Sequence, residues 1–190
     1  LQTAHNRFLA DLSISYPHID SLMADVMKTA NLRASIKPSS LAIKDAFYFN
    51  DSLQYDSLML QLAAQTVQLS GEVRGFVNDL NLAKVQVNAF ENSQLNIDAQ
   101  ISGLPNIESL LLDIPNLQVQ TNGSDLAQIA APQGMAYPKS ISLNSKLKGS
   151  FDDLLATLEL KTSDGNATLK GQFSDLLDAP RAKGQLIAKH

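Results

Sequence analysis

The stretch that decides the fold is Leu-Lys-Gly-Ser-Phe-Asp-Asp-Leu at residues 147–154. A related stretch, Leu-Lys-Gly-Gln-Phe-Ser-Asp-Leu, follows at residues 169–176, and residues 69–80 hold another version with a closing Asp-Leu. Each copy reads as an alternating strand, a glycine, and a turn before the next strand. Such repetition is typical of stacked β architectures, in which each unit buries its apolar face against its neighbours. It predicts repeated strand units over about residues 58–190 and a function that depends on a long surface or groove.

Apolar and polar residues alternate with a period of two over most of this region, starting with Leu58, Leu60 and Leu62. One apolar and one polar face per strand is the pattern of antiparallel sheets. Ser-Asp-Gly-Asn at residues 163–166 predicts a tight hairpin turn, and residues 184–188 predict a further strand. The residues predicted to line the apolar face are Val67, Leu69, Val73, Val85, Val87, Leu95, Ile97, Ile101, Leu117, Val119, Ile141, Leu143, Leu147, Leu158, Leu160, Leu169 and Phe173.

The N-terminal region is predicted to hold a strand at residues 5–16, a helix at 21–30 and a break at 38–40. Helical turns are expected near 107–112 and 126–130, the second capped by Ser124. An aromatic cluster of Phe47, Tyr48 and Phe49 is expected to plug an end or edge of the sheet, with ligand stacking as the alternative. The helix is expected to pack its apolar stripe into the core. That stripe consists of Leu22, Met23, Val26, Met27 and Ala30.

Composition excludes several classes of function. The 190 residues carry a net charge of −4 with lysines and arginines scattered along the chain, which argues against nucleic-acid binding. No cysteine is present, so thiolate metal sites and disulfides are excluded. His5, His18 and His190 lie too far apart to suggest a metal site. We therefore expect no catalytic residue, metal or cofactor. We also expect that the protein is not an enzyme. No run approaches the roughly 18 apolar residues of a membrane span.

The order of several short motifs carries a resemblance that covers residues 5–175. They are Ile-Ser-Gly-Leu-Pro at 101–105, Val-Gln-Thr-Asn at 119–122, Ser-Asp-Leu at 124–126, and Leu-Lys-Gly-Ser-Phe at 147–151. Upstream, Ile-Lys-Pro-Ser-Ser-Leu at 36–41 precedes Asp45 and Tyr48. In this order the chain resembles the TamB family of the translocation and assembly module, within the AsmA-like group, in its Bacteroidota-type form.

The resemblance implies a fold, a location and partners. TamB-like proteins are anchored in the inner membrane, and their β-rich body crosses the periplasm as a sheet curled into a U-shaped trough, a "β-taco", with an apolar interior. They support outer-membrane assembly through phospholipid transfer, through an outer-membrane barrel of the TamA/BamA type, or both. The chain, which begins at Leu1, is expected to be one β-rich fragment, residues 1–190, from the middle of such a trough.

Alternatives remain open at this point. Alternation alone favours a closed core, whereas the resemblance favours an open or helix-plugged trough that shelters phospholipid acyl chains. The glycines Gly71, Gly75, Gly149 and Gly171 on a largely aliphatic face would leave room for such chains. The second hypothesis is a structural or chaperone module that offers sheet edges to outer-membrane protein strands. The third is a solenoid adhesin or scaffold that uses its polar face.

Overall fold

The computed structural model describes residues 6–48, 51–129 and 136–189. All ten strands form one antiparallel sheet, in which the order of strands follows the order in the chain. The predicted mainly β antiparallel fold with short helical segments is confirmed. The strands are β1 (Ala10–Ser15), β2 (Asn31–Ala42), β3 (Thr66–Phe76), β4 (Asp79–Ala89), β5 (Ser93–Ser102), β6 (Leu111–Thr121), β7 (Ile141–Ser150), β8 (Leu154–Thr162), β9 (Gly165–Ser174) and β10 (Arg181–Lys189). The helices are α1 (Ile19–Ala24), α2 (Val26–Thr29), α3 (Ser57–Leu62) and α4 (Gly123–Ala127), with 3₁₀ turns at Ile43–Tyr48, Asp51–Tyr55 and Ile107–Ser109.

The sheet is open, because β1 pairs only with β2 and β10 only with β9 in the described part of the chain. The chain exposes 12573 Å². A compact monomer of 20.6 kDa would expose about 8,900 Å². The excess agrees with a single sheet that has no second sheet packed on it among the described residues. This architecture is consistent with the predicted trough.

The repeated glycine has a geometric cause in two of the three copies. Gly75 and Gly149 adopt positive φ angles of 122° and 132°, and each lies beside the hairpin that follows it. A Cβ at Gly75 would come within 2.2 Å of the Asp79 carbonyl oxygen, and one at Gly149 within 2.0 Å of the Asp153 carbonyl oxygen. Only glycine permits both the close approach and the φ angle. Gly171, in the third copy, is not among the glycines with positive φ and lies three residues before the end of β9, so the third copy is not equivalent to the other two.

Three bulges lie on alternate strands in the first part of the sheet. β2, β4 and β6 each carry one extra residue, at about residues 37–38, 83–84 and 115–116. A bulge bends its strand and increases the local twist. The strands β7 to β10 pair with no register shift. The sheet is therefore bent along one line between β2 and β6 and regular beyond it.

The predicted helix at residues 21–30 is wrong as one element. Asp25 adopts an extended φ of −156° and its side chain caps α2 by accepting from the Lys28 backbone N–H, so the segment divides into α1 and α2. The apolar stripe does not pack in the core as expected, since Met23 is 82% exposed and Val26 is also exposed. Of that stripe Ala30 is buried, and the side chain of Leu22 lies outside the described residues.

The predicted break at residues 38–40 is also wrong. β2 continues through Pro38, because the bulge there accommodates a residue without an N–H and Ser39 resumes pairing with Leu69. Ser39 is buried, and its hydroxyl donates to the Lys37 carbonyl oxygen at 2.7 Å. The aromatic cluster does not form the expected plug at Tyr48, which is 85% exposed on a 3₁₀ turn. Phe49 lies outside the described residues, as do His5 and His190.

Residues 58–62 form α3 and not the predicted strand. Asp56 caps this helix by accepting from the Met59 backbone N–H at 2.9 Å, a local signal that outweighs the alternation of Leu58, Leu60 and Leu62. The hairpin at residues 163–166 and the strand at 184–188 are confirmed. The helical turns expected near 107–112 and 126–130 overlap the 3₁₀ turn at Ile107–Ser109 and α4, but β6 begins at Leu111, α4 ends at Ala127, and its cap is Asn122 instead of Ser124. The predicted first strand begins only at Ala10.

Candidate functional site: the apolar face

The register of the sheet brings all seventeen predicted lining residues onto one face, the apolar face. One ladder crosses eight strands without a polar interruption, and consecutive members are paired residues of neighbouring strands. With strands about 4.8 Å apart, this ladder is roughly 34 Å long. Its members are Leu69, Val87, Leu95, Val119, Leu143, Leu160, Ala167 and Ala188.

Each of the seventeen residues is half-buried: none is fully buried and none is fully exposed. Neighbouring strands shield their flanks, while no second sheet among the described residues covers their tips. At the edges shielding is lost, so Leu12 on β1 and Leu186 on β10 are 62% and 67% exposed. Most large aliphatic side chains of the face are thus only partly covered, although Ile114 and Leu154 on the same face are buried.

The sequence reasoning missed several members of the apolar face. Leu80 and Leu82 lie on it, because they pair with Ile101 and Ala99. The bulge at residues 83–84 shifts the phase of alternation, so even-numbered residues before it and odd-numbered residues after it share a face. The bulge in β6 does the same for Leu112, Ile114 and the later residues of that strand. A one-residue shift in the alternation of apolar and polar residues within β4 and β6 is the sequence signal that would have identified these residues.

Small residues form a shallow furrow in the apolar face at β8 to β10. Ala156 pairs with Gly171, and Gly171 pairs with Gly184, so the floor of the furrow has almost no side chains. The paired Leu154 and Phe173 form one flank of it. The other flank consists of Leu158, Leu169 and Leu186, which are also paired. The two flanks are roughly 14 Å apart, four residues along a strand, which is wide enough for a hydrocarbon chain.

One polar side chain buried in the apolar face has an unpaired hydroxyl. Ser145 is 4% exposed and lies between Leu117 and Leu158 in the register. Its hydroxyl finds no hydrogen-bond partner among the described residues. Leaving a buried hydroxyl unpaired costs about 1–3 kcal/mol, so this position is a local destabilisation within the face.

The segment that contains α4 is held against one end of the sheet. Asp125 on α4 is 1% exposed, and its carboxylate accepts from the Asn92 backbone N–H at 2.9 Å and the Ser93 hydroxyl at 2.7 Å. This contact fixes α4 against the β4–β5 turn. Next to α4, Gln128 accepts from the side chain of Gln65, which precedes β3, at 3.3 Å. The two connecting segments therefore meet across the end of β4 and β5.

Other concavities are lined mainly by residues of the opposite, polar face. Four shallow depressions have volumes of about 420 to 540 Å³. Of the seventeen lining residues only Leu147 touches any of them. None of the strand residues on the apolar face is charged, whereas the two carboxyls with lowered pKa values, those of Asp79 and Asp98, point to the polar side. The apolar face thus suits hydrocarbon and offers no group for acid–base chemistry.

Neither a metal site nor a membrane span is found among the described residues. No three histidine or carboxylate side chains in residues 6–48, 51–129 and 136–189 are grouped to hold a metal ion. No helix in the same residues has the length and hydropathy to cross a bilayer. Comparison of the chain with protein-family models, curated proteins and solved structures finds no match.

Proposed function

We propose that the apolar face binds lipid acyl chains and that the chain is a segment of a TamB-like periplasmic conduit that carries phospholipids between the inner and outer membranes. The observation that carries this proposal is the unbroken apolar ladder from Leu69 to Ala188, which is half-buried as far as Ala167 and has no covering sheet in the described residues. Anchoring in the inner membrane, partnership with a TamA/BamA-type barrel and a role in outer-membrane assembly belong to the same proposal, through the resemblance alone.

Hydrocarbon exposed to water carries a large free-energy cost. Each methylene group costs about 0.8 kcal/mol, so two acyl chains cost on the order of 20 kcal/mol or more in an aqueous gap. A continuous aliphatic surface removes part of that cost wherever the chains lie on it. Because the ladder contains no charged or hydrogen-bonding side chain, no single position on it would hold a lipid more tightly than the next. The head group would remain at the open side, in water.

The test uses a pair of adjacent residues on opposite faces of β4. Val87 belongs to the apolar ladder, whereas Gln86 pairs with Asn96 on the polar side. Val87→Asp places an unpaired carboxylate among hydrocarbon, which opposes lipid binding. Gln86→Asp adds the same charge on the polar face. We expect phospholipid to be recovered by extraction and mass spectrometry from the purified chain and from Gln86→Asp, and much less from Val87→Asp.

Unfolding midpoints of both variants accompany the lipid measurement. If the face is open, the aspartate of Val87→Asp reaches water and the variant stays folded. A folded, lipid-free wild-type chain would contradict the proposal. Unfolding of Val87→Asp alone would indicate a closed core, and equal lipid content in the folded variants would show that the lipid lies elsewhere.

A second candidate function is a chaperone that pairs with outer-membrane protein strands through a sheet edge. The observation that favours it is β10, in which all nine residues are exposed. An edge strand presents backbone N–H and C=O groups that can pair with an extended segment. Photocrosslinkers on β10 and on the central strand β5 separate the two functions. Protein adducts from β10 with no lipid adducts from β5 would favour the chaperone.

A further inference from the structure

The polar side of strands β7 to β10 carries more cations than carboxylates, with Asp153 and Asp175 of the adjoining turns at its margins, whereas the chain as a whole has a net charge of −4. Strands β7 to β10 contain seven cationic residues and a single carboxylate, Glu159. The register places all eight on the polar side of the sheet. We call the outward side of these four strands the basic face. Its cations are Lys146, Lys148, Lys161, Lys170, Arg181, Lys183 and Lys189.

Most of these charges have no counter-ion within the described part of the chain. Lys148 pairs with Asp113 at 2.6 Å, and Arg181 lies 3.6 Å from Asp175. The other five cations have no carboxylate partner among the described residues. An uncompensated cluster of this kind is repulsive within the fold, so it is stabilised when an anionic surface approaches. The charge pattern of the basic face therefore favours binding of an external anionic surface.

The centre of the basic face is a concave strip. Lys146 pairs with Thr157, and Thr157 pairs with Lys170, so the two lysines lie two strands apart, about 10 Å. Both line two adjoining depressions of about 510 and 540 Å³. The remaining cations extend from β7 across to β10. The charges are spread over an area and do not converge on one point.

Two exposed aliphatic side chains accompany these lysines. Leu155, which pairs with Lys148, is 56% exposed, and Ile187 on β10 is 47% exposed. No aromatic side chain lies on the outward side of β7 to β10, so the stacking platform common in single-strand nucleic-acid binding is lacking here. Spread cations with exposed aliphatic residues among them match the surface of an anionic bilayer, where lysines meet phosphates and aliphatic tips enter the headgroup layer.

We propose that the basic face of β7 to β10 binds peripherally to the surface of an anionic phospholipid bilayer. This inference stands apart from the proposed function, because it concerns the opposite face of the sheet and a different force. In this orientation the apolar face points away from the bilayer surface.

The first test measures binding of the 190-residue chain to vesicles. We expect binding to mixed phosphatidylcholine–phosphatidylglycerol vesicles, weaker binding as salt is raised, and much weaker binding to pure phosphatidylcholine vesicles. The double variant Lys146→Gln/Lys170→Gln should bind the mixed vesicles less tightly, by about fivefold for each lysine removed. The control Arg33→Gln/Lys44→Gln removes two exposed cations elsewhere and should bind as the wild type does.

The second test identifies the face that touches the vesicle. Leu186 and Ile187 are adjacent on β10 but point to the apolar and basic faces, respectively. Because the chain has no cysteine, Leu186→Cys and Ile187→Cys each carry one polarity-sensitive fluorophore. We expect mixed vesicles to shift the emission of the label at 187 and not that at 186. An emission shift of the label at 186 alone would overturn the proposal. So would an equal loss of vesicle binding in Lys146→Gln/Lys170→Gln and in its control, Arg33→Gln/Lys44→Gln. Binding to a DNA duplex without binding to mixed vesicles would also overturn it.

Discussion

The carboxylate of Asp98 on β5 accepts a hydrogen bond from the backbone N–H of Lys84 on β4 at 2.8 Å. Lys84 lies in the β4 bulge with a φ of +52°, a conformation that non-glycine residues rarely adopt. The second oxygen of the same carboxylate accepts from the side chain of Asn116, in the β6 bulge, at 3.1 Å. One side chain thus links two bulges across the strand between them and holds the line along which the sheet bends.

Asp98→Ala should therefore lower the free energy of unfolding by about 1–2 kcal/mol, because the Lys84 N–H and the Asn116 amide lose a charged acceptor. Asn96→Ala is the matched control, since Asn96 lies two residues away on the same face and has no such bonds to the bulges. Urea denaturation of both variants checks the difference. Equal stability of the two variants would show that the carboxylate does not hold the bulges.

Acid should weaken the sheet through two carboxyls. The Lys84 N–H, followed by the Asn116 amide, holds the pKa of Asp98 below its usual value, and the Ser102 hydroxyl, followed by the Gln100 amide, lowers the pKa of Asp79. A lowered pKa in the folded state gives stability that is present above the unfolded pKa of about 3.9 and is lost as the pH falls through the folded pKa.

We expect the free energy of unfolding contributed by these groups to be constant above about pH 5 and to fall below about pH 4. Asp98→Asn and Asp79→Asn should each make the acid limb less steep. Urea denaturation from neutral to acidic pH measures this slope. An acid limb that is unchanged in the double variant would assign the acid sensitivity to other carboxyls.

Ser145→Ala should stabilise the chain by about 1 kcal/mol, because it removes the unpaired hydroxyl buried in the apolar face. Ser142→Ala, on the polar side of the same strand, serves as the control and should be close to neutral. Thermal and urea unfolding of both variants measure the effect. A loss of stability in Ser145→Ala would mean that its hydroxyl has a partner.

Ala156→Leu tests whether the furrow is open. Ala156 is buried between paired neighbours, but Gly171 beside it has no side chain and no sheet covers it in the described residues. A leucine there should extend into the furrow and cost less than about 1 kcal/mol, whereas the same change in a closed core costs about 1–3 kcal/mol. Thr157→Leu, on the polar side, is the control for the change in strand propensity. A loss of more than 2 kcal/mol in Ala156→Leu alone would indicate a covered face.

The regular part of this fold follows directly from its sequence. From β7 to β10 the alternation has no bulge, so each apolar residue assigned from the pattern lies on the apolar face. In β4 and β6 the extra residue reverses the phase, which is why Leu80, Leu82 and Ile114 were missed. A bulge depends on a tertiary contact such as that between Asp98 and Lys84, which alternation in one strand does not reveal.

The structure also differs from the sequence-based prediction where a local helix cap competes with strand-like alternation. Leu58, Leu60 and Leu62 alternate as in a strand, yet the Asp56 cap begins a helix there. The basic face could not be predicted from the sequence, because its cations are far apart along the chain. The pairing of four strands brings them together. Charge clustering in a sheet depends on register, so it cannot be counted from sequence neighbours.

Photocrosslinking in cells tests the acyl-chain proposal most directly. Ile97 and Asn96 are adjacent on β5 and point to the apolar and polar faces. With a photoreactive residue at each position in turn, mass spectrometry of the irradiated protein should find phospholipid attached at 97 and little or none at 96. Lipid-free protein at position 97, or equal lipid at both positions, would contradict acyl-chain binding by the apolar face.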